Sequence, residues 1–416
     1  MVRRATSSLA AAALLVLAGC GGGDDDAPGG DDGAGSDGGG PGGGGDGGSY
    51  PGDGDDLDIA TGCPGVYNPD QILEYHFEAS NWSTLQNDCS FETYIEADMR
   101  CGDGPSIRVG MRHKRSGGTD KPGFKVDINH VVEGQAFNSL KKMSFENGIS
   151  SGPDCGGGGD GGGDASLMTE YLGWRIHVLG GQVTGRAVFA KVYVNGDYIG
   201  TYVNVEQPDK VFLDKRLGDN DGWLYKVSGG DDGYKTNEGT ANPYEDYFCF
   251  LKKNPCAPPG DLETALPDKL DIEQVLKVGA ANALIGNHDG IILKLNNYYS
   301  YDYAGGPRMY FPWDLDSTMS SDYDVFTGTV SGGTTVFTDV LFEHWEDDYD
   351  RILTDWLAGP LSLDAIHGEI DRAVDVAGGA MADDPNGGGS AAAAGSELKT
   401  WWNDRHAAVS QQVAEH

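Results

Sequence analysis

Residues 188–207 read VFAKVYVNGDYIGTYVNVEQ, two valine- and tyrosine-rich runs that meet at Asn195-Gly196. Valine, tyrosine and phenylalanine suit a pleated surface, and Asn-Gly supplies the left-handed residues that a two-residue hairpin turn needs. The stretch predicts a β-hairpin, ended by Pro208, which has no N–H to give a ladder. Upstream, ILEYHFEA (72–79), FETYIEADM (91–99), SIRVGMRHK (106–114) and FKVDI (124–128) also predict strands. The loop RSGGTDKPG (115–123) reads either as a phosphate cradle or as a plain hairpin connection. After a glycine-rich insertion at 156–163, Leu167, Met168, Tyr171, Leu172 and Ile176 fall on helical spacing, and Gly180-Gly181 ends that helix.

Downstream, DKVFLDKRL (209–217) begins something helical, and DIEQVLKVGAANALIG (271–286) is an apolar helix that runs into Asn287-His288-Asp289-Gly290. NNYYSYD (296–302) and RMYFPWDLD (308–316) form a second strand pair turning at Gly305-Gly306. The remainder has a helical pattern with a low-complexity break at NGGGSAAAAG (386–395). Sheet first and helices later predict an α+β fold in two lobes.

The 416 residues carry 65 acidic and 29 basic side chains, a formal net charge of −36, which argues against a nucleic-acid partner drawn in by the protein's own field. Residues 5–99 hold 18 Asp or Glu and no Lys or Arg, so half of the net charge lies in the first quarter. Residues 1–19 have Arg3, Arg4 and an apolar run from Leu9 to Leu17, too short to span a bilayer, and predict a secretory signal peptide. Leu17-Ala18-Gly19-Cys20 resembles the bacterial lipobox, so a lipid on Cys20 is expected to hold the protein to a membrane. Gly21 after that cysteine favours, by analogy with lipoprotein sorting, an outer membrane or cell surface. Residues 20–56 then read as a Gly/Asp-rich tether; their lack of a fixed period argues against a calcium-binding repeat. Beyond Cys20 stand Cys63, Cys89, Cys101, Cys155, Cys249 and Cys256, an even number that predicts disulfides of open connectivity, with Cys249 and Cys256 the easiest to join.

Asp289 closes a loop after a helix, Asn297 begins the next strand, and Asp314 and Asp316 end the strand after it. Carboxylate and amide oxygens suit Mg²⁺, or Mn²⁺, which needs few protein ligands where phosphates supply the rest. Phosphoryl transfer asks for an aspartate to orient the attacking hydroxyl and for Asn and Asp to hold metal, and Asp289, Asn297 and Asp314 fall in that chain order. His288 reads better as a neighbour that positions Asp289 than as a general base.

With these residues in view, the chain resembles the spore-coat protein H (CotH) kinase family through GMRHKR with FKVDI, the hairpin VYVNGDYIGTYVNVEQ, GNHDG leading to NNYYSYD, YFPWDLDSTM and a helix bearing Trp402-Asn-Asp-Arg405. The resemblance covers most of residues 71–410. It implies an atypical protein-kinase-like two-lobed fold over 57–416. A mixed or antiparallel sheet lobe to about residue 206 would be followed by a mainly helical lobe. It also implies an ATP-dependent phosphotransferase, with Asp289 the catalytic-loop aspartate and Asn297, Asp314 and Asp316 around the metal. Tyr202 and Glu206, where a kinase hinge would run, become nucleotide-site candidates. Lys125, with Lys121 the other choice, becomes the phosphate-anchoring lysine and Glu170 its partner. No Gly-x-Gly-x-x-Gly loop accompanies them. The expected activity is transfer of the ATP γ-phosphoryl to a Ser, Thr or Tyr hydroxyl of an exported protein. A surface binding or adhesion module without turnover, and a transferase using another phosphorylated donor or a glycan acceptor, are the other classes the residues leave open.

Overall fold

The computed structural model describes residues 62–114, 120–148, 164–228, 231–240, 242, 262–303, 306–320, 322–326, 336–387 and 389–416. The signal peptide, Cys20, the tether, residues 115–119 of the glycine-rich loop, the insertion at 156–163, Gly305, Cys155, Cys249 and Cys256 lie outside them. No helix among the described residues is long and apolar enough to cross a membrane.

Seven strands build the first half: β1 (Leu73–Glu78), β2 (Tyr94–Cys101), β3 (Ile107–His113), β4 (Phe124–Asp127), β5 (Lys142–Glu146), β6 (Ala187–Val194) and β7 (Asp197–Val205). The expected mixed or antiparallel sheet lobe closes into a barrel in the order β1-β2-β3-β4-β5-β7-β6, sealed by parallel pairing of β1 with β6 while the other pairs are antiparallel. Closure leaves no edge strand to aggregate. The β6–β7 hairpin turns at Asn195 (φ 52) and Gly196 (φ 88), both left-handed as the Asn-Gly signal requires. A disulfide joins Cys63, ahead of β1, to Cys101 at the end of β2, with Cα atoms 5.8 Å apart, and Cys89 is disulfide-bonded too.

Alternation divides β6 and β7 between two cores. Val188, Ala190, Val192 and Tyr202 point into the barrel with Phe77, Phe124 and Phe145, whereas Ala187, Phe189, Val203 and Val205 point outward. The outward set meets α2 (Asp164–Leu179), whose Leu167, Met168, Tyr171, Leu172, Trp174 and Ile176 are all buried. Burying side chains of that size stabilises by about 1.5–3 kcal/mol each, enough to hold a helix that does not pack inside the barrel.

Beyond β7 come α3 (Lys210–Leu217), β8 (Trp223–Ser228), β9 (Asp231–Tyr234), α4 (Leu262–Ala265), α5 (Ile272–Leu284), β10 (Tyr298–Asp302), β11 (Arg308–Pro312), α6 (Val336–Ala358), α7 (Leu363–Ala382) and α8 (Ala391–Glu415). The four strands form an antiparallel sheet ordered β11-β10-β8-β9, beside which the helices share one large core with α2. The low-complexity AAAAG is not a break but the first turn of α8, where Ser390 caps the helix by accepting from Ala393 N at 3.2 Å. The link between α7 and α8 reaches back to the barrel: Asp384 Oδ2 accepts from Lys121 Nζ at 2.7 Å and from Thr201 N at 2.8 Å.

Candidate active site

The C-terminus of α5 ends in a left-handed Gly286 (φ 61), with Gly286 N donating to Ala283 O and Asn287 N to Asn282 O, each at 3.0 Å. This is a Schellman close, and it turns the chain sharply into the loop that carries Asp289. Asn287 then bonds in both directions, from Nδ2 to Asn282 Oδ1 at 2.9 Å and through Oδ1 from Asp289 N at 3.0 Å. The Asp289 carboxylate receives Lys294 Nζ at 2.9 Å on one oxygen and Asn297 Nδ2 at 3.1 Å on the other. Asp289 and Asn297 are thus brought together, and Asp289 keeps partial exposure.

The β11 strand delivers the next acids. Trp313 N donates to Asn297 O at 3.1 Å, setting Asp314 beside Asn297, and Met319 N donates to Ile285 O at 2.6 Å, folding the segment after Asp316 onto the end of α5. Leu295 (φ 48), Asn297 (φ 50), Asp314 (φ 54) and Met319 (φ 57) all hold left-handed backbone without being glycine. Backbone so unfavourable persists only where surrounding bonds impose it, and such strain gathers at functional sites. On the facing helix, a Cβ added to Gly173 would lie 3.2 Å from Leu315 Cβ, so α2 approaches the Asp314-Leu315-Asp316 segment as closely as a glycine allows.

From the barrel side the site receives Lys114, just past β3, and Glu146, the last residue of β5, joined by a short ion pair. Ser144 Oγ also donates to Glu146, at 2.8 Å. Glu170 stands on α2 and is 4% exposed. Burial, then the charges of Glu146, Asp316 and Asp314, hold its carboxyl well above the usual range, with Lys114 opposing them. Asp316 touches solvent yet is crowded by protein; burial, Glu146 and Asp289 raise its carboxyl, while Lys114 and Ser317 pull the other way. One field therefore connects Asp289, Asp314, Asp316, Glu146, Glu170 and Lys114. A second buried ammonium, Lys226 on β8, lies 5.3 Å from the centre of the Trp313 ring, and Lys114 lies 5.8 Å from the same ring.

The structure brings Asp289, Asn297, Asp314, Asp316 and Glu170 together, ties Lys121, Tyr202 and Glu206 to other partners, and sets Lys125 on the barrel face that also carries Lys114 and Glu146. Lys121, 1% exposed, is committed to Asp384. Tyr202 points into the barrel among Phe124 and Phe145 and donates its hydroxyl to Pro122 O at 3.0 Å. Glu206 is held by Arg186 Nη2 at 2.9 Å and Arg216 Nη2 at 2.7 Å; burial alone would raise its carboxyl, and these guanidinium groups bring it below the ordinary value. Lys125 lies on the outer face of β4, cross-strand from Arg112 and Ser144. Lys114, Glu146 and Lys226 were not among the candidates. The one sequence signal for Lys114 is parity, since it falls out of step with the inward-facing Val109 and Met111.

Among the described residues no three His, Cys, Asp or Glu side chains gather as they would to hold a metal unaided. The donor chemistry nonetheless fits a divalent cation shared with phosphates. Oxygen donors dominate, and burial first, then the charges of neighbouring acids, raise Glu170 and Asp316 despite Lys114, so added positive charge would favour their ionised forms.

Inner spore coat protein H of Bacillus subtilis (strain 168) is 25% identical over 182 residues, which are 38% of this chain and 48% of that protein. The chain thus spans about half the length of the curated relative it matches. Among solved structures, the Helicobacter pylori proinflammatory kinase CtkA is 12% identical with a TM-score of 0.37, covering 72% of this chain and 93% of its own. The Golgi casein kinase is 9% identical with a TM-score of 0.34, covering 84% and 74% respectively. The sequence model of the family described as CotH kinase protein matches residues 161–409, from the start of α2 through most of α8. The chain belongs to the CotH kinase protein family.

Proposed function

We propose that this chain is an ATP-dependent phosphotransferase that moves the γ-phosphoryl group to a hydroxyl of an exported protein. A lipid on Cys20 would hold it at a membrane surface. The observation that carries the reading is the single electrostatic cluster joining Asp289, Asn297, Asp314, Asp316, Glu170 and Lys114 across the space between barrel and helices. In the reaction, the acceptor oxygen forms a bond to the γ-phosphorus while the bond from that phosphorus to the β–γ bridging oxygen breaks, and ADP leaves. Asp289 orients the hydroxyl and takes its proton. Lys294 and Asn297 hold the Asp289 carboxylate in place for that task.

Lys114, rather than Lys125 or Lys121, supplies the ammonium for the nucleotide phosphates, and Glu146 and Glu170 position it. Asn297 and Asp314 would hold Mg²⁺ or Mn²⁺, with Asp316 as a further ligand; the ion's contribution is to neutralise phosphate charge as the bond breaks. The test is label incorporation from γ-labelled ATP by the full chain with Mg²⁺ or Mn²⁺, beside Asp289→Ala and Asp314→Ala. Loss of incorporation in both variants is expected. Equal labelling in all three proteins contradicts the assignment, and no labelling by the unaltered chain leaves a binding module as the better reading.

A further inference from the structure

Helix α8 buries a stripe of Leu398, Trp402, Arg405 and Val409, four residues spaced to share one face. A guanidinium in an apolar stripe is costly unless its hydrogens are all directed at acceptors. Arg405 is 2% exposed, and its acceptors belong to two segments of the site. Nη2 donates to Ala283 O at 2.6 Å and Nε to Leu284 O at 3.3 Å, the last carbonyls of α5. Nη1 donates to Tyr323 O at 2.8 Å and to the Asp322 carboxylate, in the segment that follows Asp316. Positive charge at a helix C-terminus also opposes the negative end of the helix dipole.

The two segments are linked again beneath the guanidinium. Tyr323 Oη donates to Asn282 O at 3.1 Å and lies 3.3 Å from Asn287 O, and the Arg405 guanidinium lies 5.3 Å from the centre of the Tyr323 ring. Two turns further along α8, Gln412 Oε1 accepts from Val325 N at 3.0 Å. From Asn287 the bonds pass to Asp289 N, and from Asn297 O to Trp313 N beside Asp314.

We propose that Arg405 is a positioning residue: by bonding the end of α5 and the segment after Asp316 at once, it sets Asp289 against Asp314 without touching substrate. Three of its acceptors are backbone carbonyls, and the one carboxylate is 67% exposed at its side chain, so the carbonyls and not the ion pair do the holding. The activity readout rests on the phosphotransferase reading; the exchange readout does not.

The experiment compares the full chain with Arg405→Gln, Arg405→Lys and Asp322→Ala, measuring kcat and KM for ATP and amide hydrogen exchange over residues 285–297 and 322–326. Arg405→Gln is expected to lower kcat about 100-fold with KM for ATP changed less than about twofold, as misplacement of reacting groups does. It should also speed exchange in both segments. Arg405→Lys, which keeps charge but fewer donors, should restore part of both, and Asp322→Ala should match the unaltered chain. A folded Arg405→Gln with unaltered kcat and exchange overturns the proposal, as does an Asp322→Ala that reproduces the whole loss. Should Arg405→Gln fail to fold, Arg405→Lys decides: slower turnover with faster exchange supports the role, and no change in either refutes it. If the unaltered chain transfers no phosphoryl group, the phosphotransferase reading fails while exchange in Arg405→Lys still decides the positioning role.

Discussion

His177 gives the stability of this fold a pH dependence of calculable size. It lies near the end of α2 with no exposed surface, its Nδ1 2.8 Å from Gln182 Oε1, and Gln182 Nε2 in turn donates to Lys277 O of α5 at 3.1 Å. Nδ1 is therefore the protonated nitrogen, and Nε2 is buried with no hydrogen-bond partner among the described residues. Adding a proton there would bury an N–H and a charge together, so burial lowers the imidazole from its ordinary 6.5 to about 4, with the bond to Gln182 opposing. The sign follows from proton counting. Between those two values the unfolded chain binds a proton that the folded chain refuses, so stability falls as pH drops from 6.5 towards about 4. The full effect is about 3 kcal/mol, and roughly 2 kcal/mol of it is already lost at pH 5. Equilibrium urea denaturation at pH 7 and pH 5 on the unaltered chain and on His177→Asn isolates this term, because every other titrating group is common to both. The unaltered chain should lose about 2 kcal/mol more than the variant over that interval. Equal losses, or an imidazole that titrates near 6.5 by NMR, would show that burial of His177 is not the source of the pH dependence.

Other consequences follow from neighbouring features. Asp384→Ala strands the buried Lys121 ammonium and should cost about 3–5 kcal/mol in urea denaturation, whereas replacing both by apolar residues, Lys121→Met with Asp384→Leu, should recover most of it. Opening the Cys63–Cys101 disulfide by Cys63→Ser frees a loop of sequence separation 38 and should cost about 4 kcal/mol, read as a lower melting temperature that added reductant no longer changes for this bond. Gly173→Ala gains about 1 kcal/mol of helix propensity yet presses on Leu315 at 3.2 Å; we expect a folded protein with weakened ATP binding, and unaltered binding would show that the contact is slack.

Much of this was legible because it is local. Asn195-Gly196 announces its turn through two left-handed residues, the apolar spacing from Leu167 to Ile176 announces α2, and the order Asp289, Asn297, Asp314 survives folding as adjacency. The closed barrel was not legible, since the parallel pairing of β1 with β6 joins strands more than a hundred residues apart and leaves no mark on either. Strands β5, β8 and β9 are short: β5 alternates over five residues that end at a glycine-rich segment, and β8 and β9 flank one. Choosing among lysines needed the barrel: Lys121, Lys125 and Lys114 lie within a dozen residues, and while Lys121 is taken by Asp384, Lys114 and Lys125 share the outer barrel face, where the ion pair with Glu146 marks Lys114. Arg405 entered only with the Trp402–Arg405 helix that carries the resemblance, and its role was not legible because its acceptors, the carbonyls at the end of α5, are more than a hundred residues away.

Calorimetric titration of ATP with Mg²⁺ into the full chain, Lys114→Met, Lys125→Met and Asp314→Ala asks whether the Asp289–Glu170 cluster is a metal–nucleotide site. Saturable binding should weaken at least about tenfold, or about 1.4 kcal/mol, in Lys114→Met and Asp314→Ala and persist in Lys125→Met. No binding to the unaltered chain, or equal affinity in all four proteins, would contradict that assignment.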